Sequence, residues 1–106
     1  MSTARMVIVQ GVFEVEPNQR APFLDARIEV MRSSRDEDGC EDYVLAADPV
    51  DPGRVIISER WESMDHLERH LERLSAQRSD PGRNSLPAPL SAEITVYEVA
   101  SSRRLR

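Results

Sequence analysis

The order of its periodic segments constrains this chain more than any other feature of the sequence. Two stretches with apolar residues at helical spacing alternate with four shorter stretches rich in β-branched residues. The predicted strands are Met6–Val15, Cys40–Ala47, Arg54–Glu62 and Ala92–Ala100. The predicted helices run from about Pro17 to about Ser34 and from about Met64 to about Gln77. The sequence therefore predicts an α+β protein of β-α-β-β-α-β order.

Local signals support the ends of these segments. Pro17 suits the first turn of a helix, where no backbone donor is needed. Gly39 follows three acidic residues after the first helix and permits a positive φ. The run 48–53 predicts a turn that joins the second and third strands in an antiparallel hairpin. Ser63 is a candidate N-cap of the second helix, and residues 79–89, with three prolines, predict a loop.

The topology leaves one face of the predicted sheet without a layer of its own. Crossover connections are right-handed, so both helices should cover the same face of the four-stranded antiparallel sheet, as in a ferredoxin-like fold. The strands are nevertheless apolar on both faces, because Ile8, Val12 and Ile56 alternate with other apolar residues. We therefore expect the open sheet face to be covered by a second copy of the chain, in a homodimer.

Length and composition exclude several classes of protein. The 106 residues suit a single domain spanning 1–106, with a core at about 6–100 and a flexible basic tail at 101–106. The net charge is −5 and the basic residues are dispersed, which excludes a nucleic-acid footprint. The chain has one cysteine and therefore no intramolecular disulfide, which favours a cytoplasmic location. No stretch approaches the roughly 20 apolar residues that span a bilayer, so no membrane partner is expected.

Three segments resemble one protein family when they are taken in order. Residues 34–43 contain Glu-Asp-Gly-Cys-Glu-Asp-Tyr, which resembles the Glu-x-Gly-Cys-x-x-Tyr pattern of antibiotic biosynthesis monooxygenase domains. The turn at 48–52 resembles the hairpin turn of that family. Residues 59–63, followed by Leu67 and His70, resemble its Glu-x-Trp-x-Ser…His segment. The resemblance covers about Val7 to Val99.

This resemblance implies a dimeric α+β barrel with a pocket between the helices and the sheet. Some members of the family oxidise polyketide or quinol substrates with dioxygen and without metal or flavin, so no cofactor is expected. Others degrade haem or isomerise a phosphorylated sugar. The haem-degrading members use an Asn on the first strand and a His late in the second helix. The matching stretches here, 9–11 and 78–80, contain neither residue, which disfavours haem degradation.

The candidate catalytic residues are His70, Glu59 and Trp61. A neutral His70 is suited to take a proton from an acidic quinol hydroxyl. A partly buried histidine whose hydrogen bonds are made within the protein is an equally good interpretation. Glu59 lies on a covered strand face, where a carboxylate needs a partner or has a raised pKa. Pairing of Glu59 with an arginine is the favoured interpretation, and a role as general base is the more specific alternative. Trp61 suits stacking on a planar substrate, although an anchor in the core or at the hinge is the favoured interpretation.

The candidate substrate-binding residues are Tyr43, Gln10 and Trp61. Tyr43 is suited to position a substrate carbonyl, although a tyrosine on a strand more often packs in the core. Gln10 interrupts an apolar strand and so suits a pocket wall. His66 and His70 have i, i+4 spacing, which is compatible with metal binding, but no third ligand is evident and no metal site is expected. Cys40 has no activating base and is interpreted as structural.

The sequence thus supports two hypotheses of function. The first is a cofactor-independent monooxygenase that oxidises an aromatic, quinol or polyketide-like small molecule with dioxygen. The second is a non-catalytic dimeric module that binds a small molecule, with an isomerase on the same fold as a further alternative.

Overall fold

The computed structural model describes residues 5–78 and 86–106. Its strands are β1 (Val7–Glu14), β2 (Cys40–Ala47), β3 (Arg54–Trp61) and β4 (Ser91–Glu98). Its helices are α1 (Arg20–Asp25), α2 (Ile28–Arg35) and α3 (Met64–Arg78), and a 3-10 turn at Pro17–Gln19 precedes α1. Residues 79–85, most of the predicted loop, lie outside the described residues, and 86–90 are neither helix nor strand.

The four strands form one antiparallel sheet in the order β2-β3-β1-β4. This order places the first strand inside the sheet and separates the hairpin partners from the last strand, as in a ferredoxin-like fold. The predicted α+β fold class is confirmed. Val9 lies opposite Glu59 on one side and Val96 on the other, so these three side chains share a face.

The prediction of one continuous first helix is wrong. The helical segment breaks at Ala26 and Arg27, and Arg27 leaves the helical conformation with φ −106° and ψ 2°. The Arg27 guanidinium donates to the Phe23 and Pro87 carbonyls at 3.1 and 2.9 Å and lies 3.7 Å from the centre of the Phe23 ring. We attribute the break to these contacts, because no glycine or proline stands at the break itself. Three helices, not two, therefore connect the strands.

The core lies between the helices and one face of the sheet. Most of the apolar residues that β1, β2 and β3 place on that face are buried, together with Val15 and one residue each from α1 and α3. The buried apolar residues are Val7, Val9, Val15, Phe23, Tyr43, Leu45, Val55, Ile57, Trp61 and Leu67. Val30 and Met31 of α2 are partly buried and pack against this core, so all three helices contact it.

Two glycines stand where a side chain would collide with a neighbour. Gly39 has a φ of 81°, as predicted, and a Cβ there would overlap the ring of His66. At Gly11 a Cβ would collide with the Glu93 carbonyl oxygen and lie 2.7 Å from the Ile94 Cα. Gly11 therefore permits the close approach of β1 and β4.

The open sheet face, opposite the helices, carries Ile8, Val12, Ile56 and Tyr97, which are all at least partly exposed. Every residue of β4 is exposed to solvent as well. Among the helices of the described part, none has the length and apolar character needed to cross a bilayer.

Candidate active site

His70 lies inside the protein, between α3 and the sheet. It follows Leu67 by three residues on α3, so it faces the core with that leucine and is only 1% exposed. Its ring centre lies 4.7 Å from that of Trp61, with an angle of 37° between the rings. The Tyr43 ring meets it edge-on at 5.3 Å. The sequence-predicted residues His70, Trp61 and Tyr43 are thus in direct contact.

A carboxylate and a guanidinium orient the His70 imidazole. A 2.7 Å hydrogen bond joins His70 Nδ1 to Glu37 Oε2, and the Arg73 guanidinium donates to the same oxygen at 2.8 Å. Because a carboxylate can only accept, the Nδ1–H donates and Nε2 of the neutral ring is left with the free lone pair. Glu37 therefore holds His70 in the tautomer that a base at Nε2 requires.

Glu59 faces the other side of the imidazole, with its Oε1 4.0 Å from His70 Nε2. The Trp61 indole N–H donates to the same Glu59 oxygen at 3.0 Å. Burial raises the pKa of the Glu59 carboxyl and outweighs the lowering by Trp61 and His70, while the nearby Glu37 raises it further. The described partners of Glu59 are thus an indole and an imidazole, not the arginine favoured from the sequence.

Tyr43 is a buried hydroxyl donor beside the imidazole. Burial raises the pKa of the Tyr43 phenol well above its ordinary value, and the carboxylates of Glu59 and Glu37 raise it further. Cys40 adds a smaller increase, and the nearby Ser34 hydroxyl lowers the pKa. Tyr43 therefore keeps its proton at any pH at which the protein is expected to work, and can donate a hydrogen bond to an oxygen.

Gln10 lies on the other side of the sheet. It stands opposite Ser58 and Thr95, and these residues help to line an open groove of about 490 Å³ on the face that the helices do not cover. The structure thus brings His70, Glu59, Trp61 and Tyr43 together but separates Gln10 from them by the thickness of the sheet.

The remaining candidates lie at the margin of this cluster. His66 Nδ1 lies 2.6 Å from the Ser63 hydroxyl, which also accepts from the His66 backbone N–H at 3.3 Å and so forms the predicted N-cap. Cys40 is partly buried, and burial raises the pKa of its thiol, so a reactive thiolate is disfavoured. Within the described ranges, no three His, Cys, Asp or Glu side chains are placed to hold a metal ion.

Two members of the cluster were not predicted from the sequence. Glu37 belongs to the Glu-x-Gly-Cys-x-x-Tyr pattern, whose first position could have indicated a role for it. Arg73 follows His70 by three residues on the same helix, a spacing that puts both on neighbouring positions of one face. What the sequence does not provide is the approach of the α2 end to α3, which places Glu37 between them.

A family model for antibiotic biosynthesis monooxygenases matches residues 6–78 of the chain. The chain belongs to the antibiotic biosynthesis monooxygenase family. The matched region contains β1 to β3 and all three helices, and with them every member of the cluster around His70. The resemblance inferred from the sequence is therefore confirmed.

Solved structures show the same fold at low sequence identity. A candidate antibiotic biosynthesis monooxygenase from Deinococcus radiodurans is 23% identical, with a TM-score of 0.77 over 94% of this chain and 98% of its own. A candidate monooxygenase from Caulobacter crescentus is 21% identical, with a TM-score of 0.72 over 92% of both chains. A conserved Methanosarcina mazei protein is 19% identical, with a TM-score of 0.72 over 90% and 93%. No curated protein matches the chain. At these identities the structures establish the fold alone.

Proposed function

We propose that the protein is a monooxygenase that oxidises an electron-rich aromatic, quinol or polyketide-like molecule with dioxygen, without metal or flavin. The observation that carries the proposal is the buried Glu37–His70 pair, with a 2.7 Å hydrogen bond to Nδ1 and a free lone pair at Nε2. A carboxylate-oriented imidazole is the arrangement of a general base. Family membership supports oxidation as the reaction that this base serves.

The proposed reaction begins with removal of a proton from the substrate. His70 Nε2 takes the proton of a ring hydroxyl, and the substrate anion passes one electron to dioxygen. The resulting superoxide recombines with the substrate radical at an adjacent ring carbon, forming a carbon–oxygen bond. Cleavage of the oxygen–oxygen bond of this peroxide releases water, which takes up the protons, and leaves a hydroxyquinone. One hydroquinone and one dioxygen thus give one hydroxyquinone and one water, and no further reductant is required.

The surrounding side chains suit the other needs of this reaction. The Trp61 and Tyr43 rings pack against the imidazole and hold it in position, and Tyr43 supplies a hydroxyl donor for a developing oxyanion. Burial raises the pKa of Glu59, which lies beside Nε2, and so weakens the tendency of this carboxyl to hold the imidazole in its charged form. The low exposure of the cluster keeps water away from the radical intermediates.

We propose further that the working unit is a cytoplasmic homodimer joined through the open sheet face. That face carries partly exposed apolar residues from β1, β3 and β4 around a groove. An interface between two such faces would cover Ile56 and Tyr97 and leave the helix-covered side, with His70, on the outside of each sheet.

Oxygen consumption by purified, chelator-treated protein tests the proposed reaction. With a panel of hydroquinones we expect uptake of one dioxygen per substrate, and with ¹⁸O₂ one labelled atom in the product. Replacement His70→Ala should lower kcat about 100-fold or more, because general base catalysis contributes a factor of that order. Glu37→Gln, which keeps the side-chain shape, should lower kcat more than it changes KM.

The variant His66→Ala is the matched control, because His66 lies one turn earlier on α3 and outside the cluster. It should keep wild-type turnover while both cluster variants lose it. Binding of hydroquinones without any oxygen uptake would contradict the proposal and favour a non-catalytic binding module. Equal losses in His66→Ala and His70→Ala would remove His70 from the mechanism.

A further inference from the structure

A short row of polar side chains crosses the middle of the open sheet face. Gln10 on β1 lies opposite Ser58 on β3 and opposite Thr95 on β4, so the three side chains share that face. All three residues line the groove of about 490 Å³. Among the hydrogen bonds of the described residues, none involves any of these three side chains. Their polar groups are therefore free to bind a partner.

Apolar residues flank this polar row on both sides. Val12 lies opposite Ile56 in the next row towards one end of the strands, and Ile8 lies opposite Tyr97 in the next row towards the other end. A second copy of the chain that covers these apolar residues must also cover the polar row between them and remove its water. Because a buried polar group without a hydrogen bond costs free energy, the second copy must supply hydrogen bonds at this place.

Gln10 stands near the centre of the open face. It is the fourth of the eight residues of β1, and β1 and β3 are the two inner strands of the sheet. Two identical chains that meet through the same face form a two-fold dimer, and a residue at the two-fold axis meets its own copy. Since the axis passes through the contact patch, a patch centred on the sheet brings Gln10 close to Gln10 of the partner subunit.

Of the three polar groups in the row, the amide of Gln10 extends farthest towards a facing sheet. Sheets that pack face to face lie roughly 10 Å apart, so each side chain must extend about 5 Å to reach the middle. The Gln10 amide follows two methylene groups and covers this distance, whereas the hydroxyls of Ser58 and Thr95 are attached at Cβ and stop short of it. A side-chain amide carries both donors and an acceptor, so two amides related by a two-fold axis can each donate to the other.

We propose that Gln10 lies at the two-fold axis of the homodimer and that its side-chain amide exchanges a pair of hydrogen bonds with the amide of Gln10 of the partner subunit. This inference rests on the proposed dimer and adds the contact that aligns its two sheets. Apolar side chains pack in several alignments, whereas a buried amide pair is satisfied in one. A single buried polar pair fixes register in coiled coils for the same reason. Gln10 is thus the residue that determines how the second copy docks.

Exchange of charges at position 10 tests this contact. Gln10→Glu and Gln10→Lys each bring two like charges together at the axis, so each variant alone should dimerise about 100-fold more weakly than the wild type. An equal mixture should form dimers with nearly the wild-type dissociation constant, because the carboxylate of one chain then meets the ammonium group of the other. Gln10 is exposed in the single chain, so both variants should fold, which circular dichroism checks.

Sedimentation equilibrium measures the dissociation constants, with twice the 12.0 kDa of one chain as the mass of the dimer. Native mass spectrometry with one variant isotope-labelled should then find one chain of each variant in the dimers of the mixture. This result depends on position 10 facing its own copy, and a general loss of stability at this position would not produce it.

The matched controls are Thr95→Glu and Thr95→Lys. Thr95 is exposed and lies in the same polar row, but on β4 at the edge of the sheet and so away from the axis. Mixing these two variants should leave their dissociation constants unchanged. A mixture of the Gln10 variants that stays dissociated, or equal recovery in the Thr95 mixture, would overturn the inference. So would dimers of wild-type strength in Gln10→Glu alone, or a wild type that remains a single chain.

The outcome is separable from that of the proposed function. If Ile56→Asp dissociates the wild-type dimer but the mixed Gln10 variants stay apart, the open face stands as the interface and the amide pair at its centre fails. If neither Ile56→Asp nor the Gln10 variants weaken the dimer, the two chains are joined elsewhere. Oxygen uptake by the wild type decides the proposed reaction separately, since His70 lies on the other side of the sheet.

Discussion

At the scale of single residues, the buried Glu59 carboxyl makes the stability of the folded protein depend on pH. Burial raises the pKa of its carboxyl in the folded protein above the unfolded value. The neutral form is then favoured by folding, so this stabilisation is present at low pH and is lost as the pH rises through the folded pKa. Glu59→Gln removes the titration and keeps an acceptor for the Trp61 N–H. We expect the variant to unfold at higher urea concentration than the wild type at pH 8, with a smaller difference at pH 5.

The matched control for this prediction is Glu62→Gln, which changes an exposed carboxylate just beyond the end of β3. Its urea midpoint should follow the wild type across the same pH range. A Glu59→Gln protein that is less stable than the wild type at pH 8 would show that the ionised carboxylate is needed by Trp61 and His70, contrary to the effect of burial.

The same residue shows how far the sequence predicts a side chain's surroundings. Alternation along β3 places Glu59 on the covered face with Ile57 and Trp61, and the structure confirms it. Its partners could not be predicted, because the 4.0 Å approach of His70 depends on how closely α3 packs over β3. Periodicity determines on which face of a strand or helix a side chain lies. Packing between elements distant in sequence determines which side chains it contacts there.

At the scale of elements, the strands follow their sequence pattern and the first helix does not. β2 has the predicted bounds, and the other strands differ from the prediction by one or two residues at their ends. Their β-branched residues and the turn at 48–53 are local signals, so no distant contact is needed to find them. The break between α1 and α2 has no local signal, since it depends on contacts of Arg27 with Phe23 and with Pro87, 60 residues away in sequence.

Replacement of Arg27 by leucine tests this account of the helix break. The variant loses two hydrogen bonds to carbonyls and a cation–π contact, so we expect it to be less stable by about 1–2 kcal/mol. Urea denaturation followed by circular dichroism measures the change. Arg32→Leu is the control, because Arg32 is exposed and its ion pair among the described residues is with Glu29 one turn away. Equal stability of the two variants would show that Arg27 does not hold the break in place.

At the scale of the whole molecule, the strands carry more apolar residues than a single layer of helices can bury. Residues of the helix-covered face, such as Val55 and Ile57, are almost fully buried, while Ile56 between them is 38% exposed. The sequence gives both sets the same apolar character, and only the topology decides which set meets the helices. The periodicity of one chain does not encode its contacts with a second chain. The sequence pattern therefore does not specify what covers the apolar residues of the open face.

Two single substitutions of equal exposure test whether the open sheet face joins two chains. Ile56 on that face is 38% exposed, and Ile28 at the start of α2 is 39% exposed. If the open face is the interface, Ile56→Asp places an unpaired charge inside it and should give particles of one chain, whereas Ile28→Asp should keep the wild-type mass. Sedimentation equilibrium at micromolar concentration should give twice the 12.0 kDa of one chain for the wild type. A wild type that sediments as one chain, or dissociation caused equally by both substitutions, would exclude this face as the interface. Since His70 lies on the opposite side of the sheet from Ile56, monomeric Ile56→Asp should retain its oxygen uptake with hydroquinones, which separates assembly from the chemistry of the site.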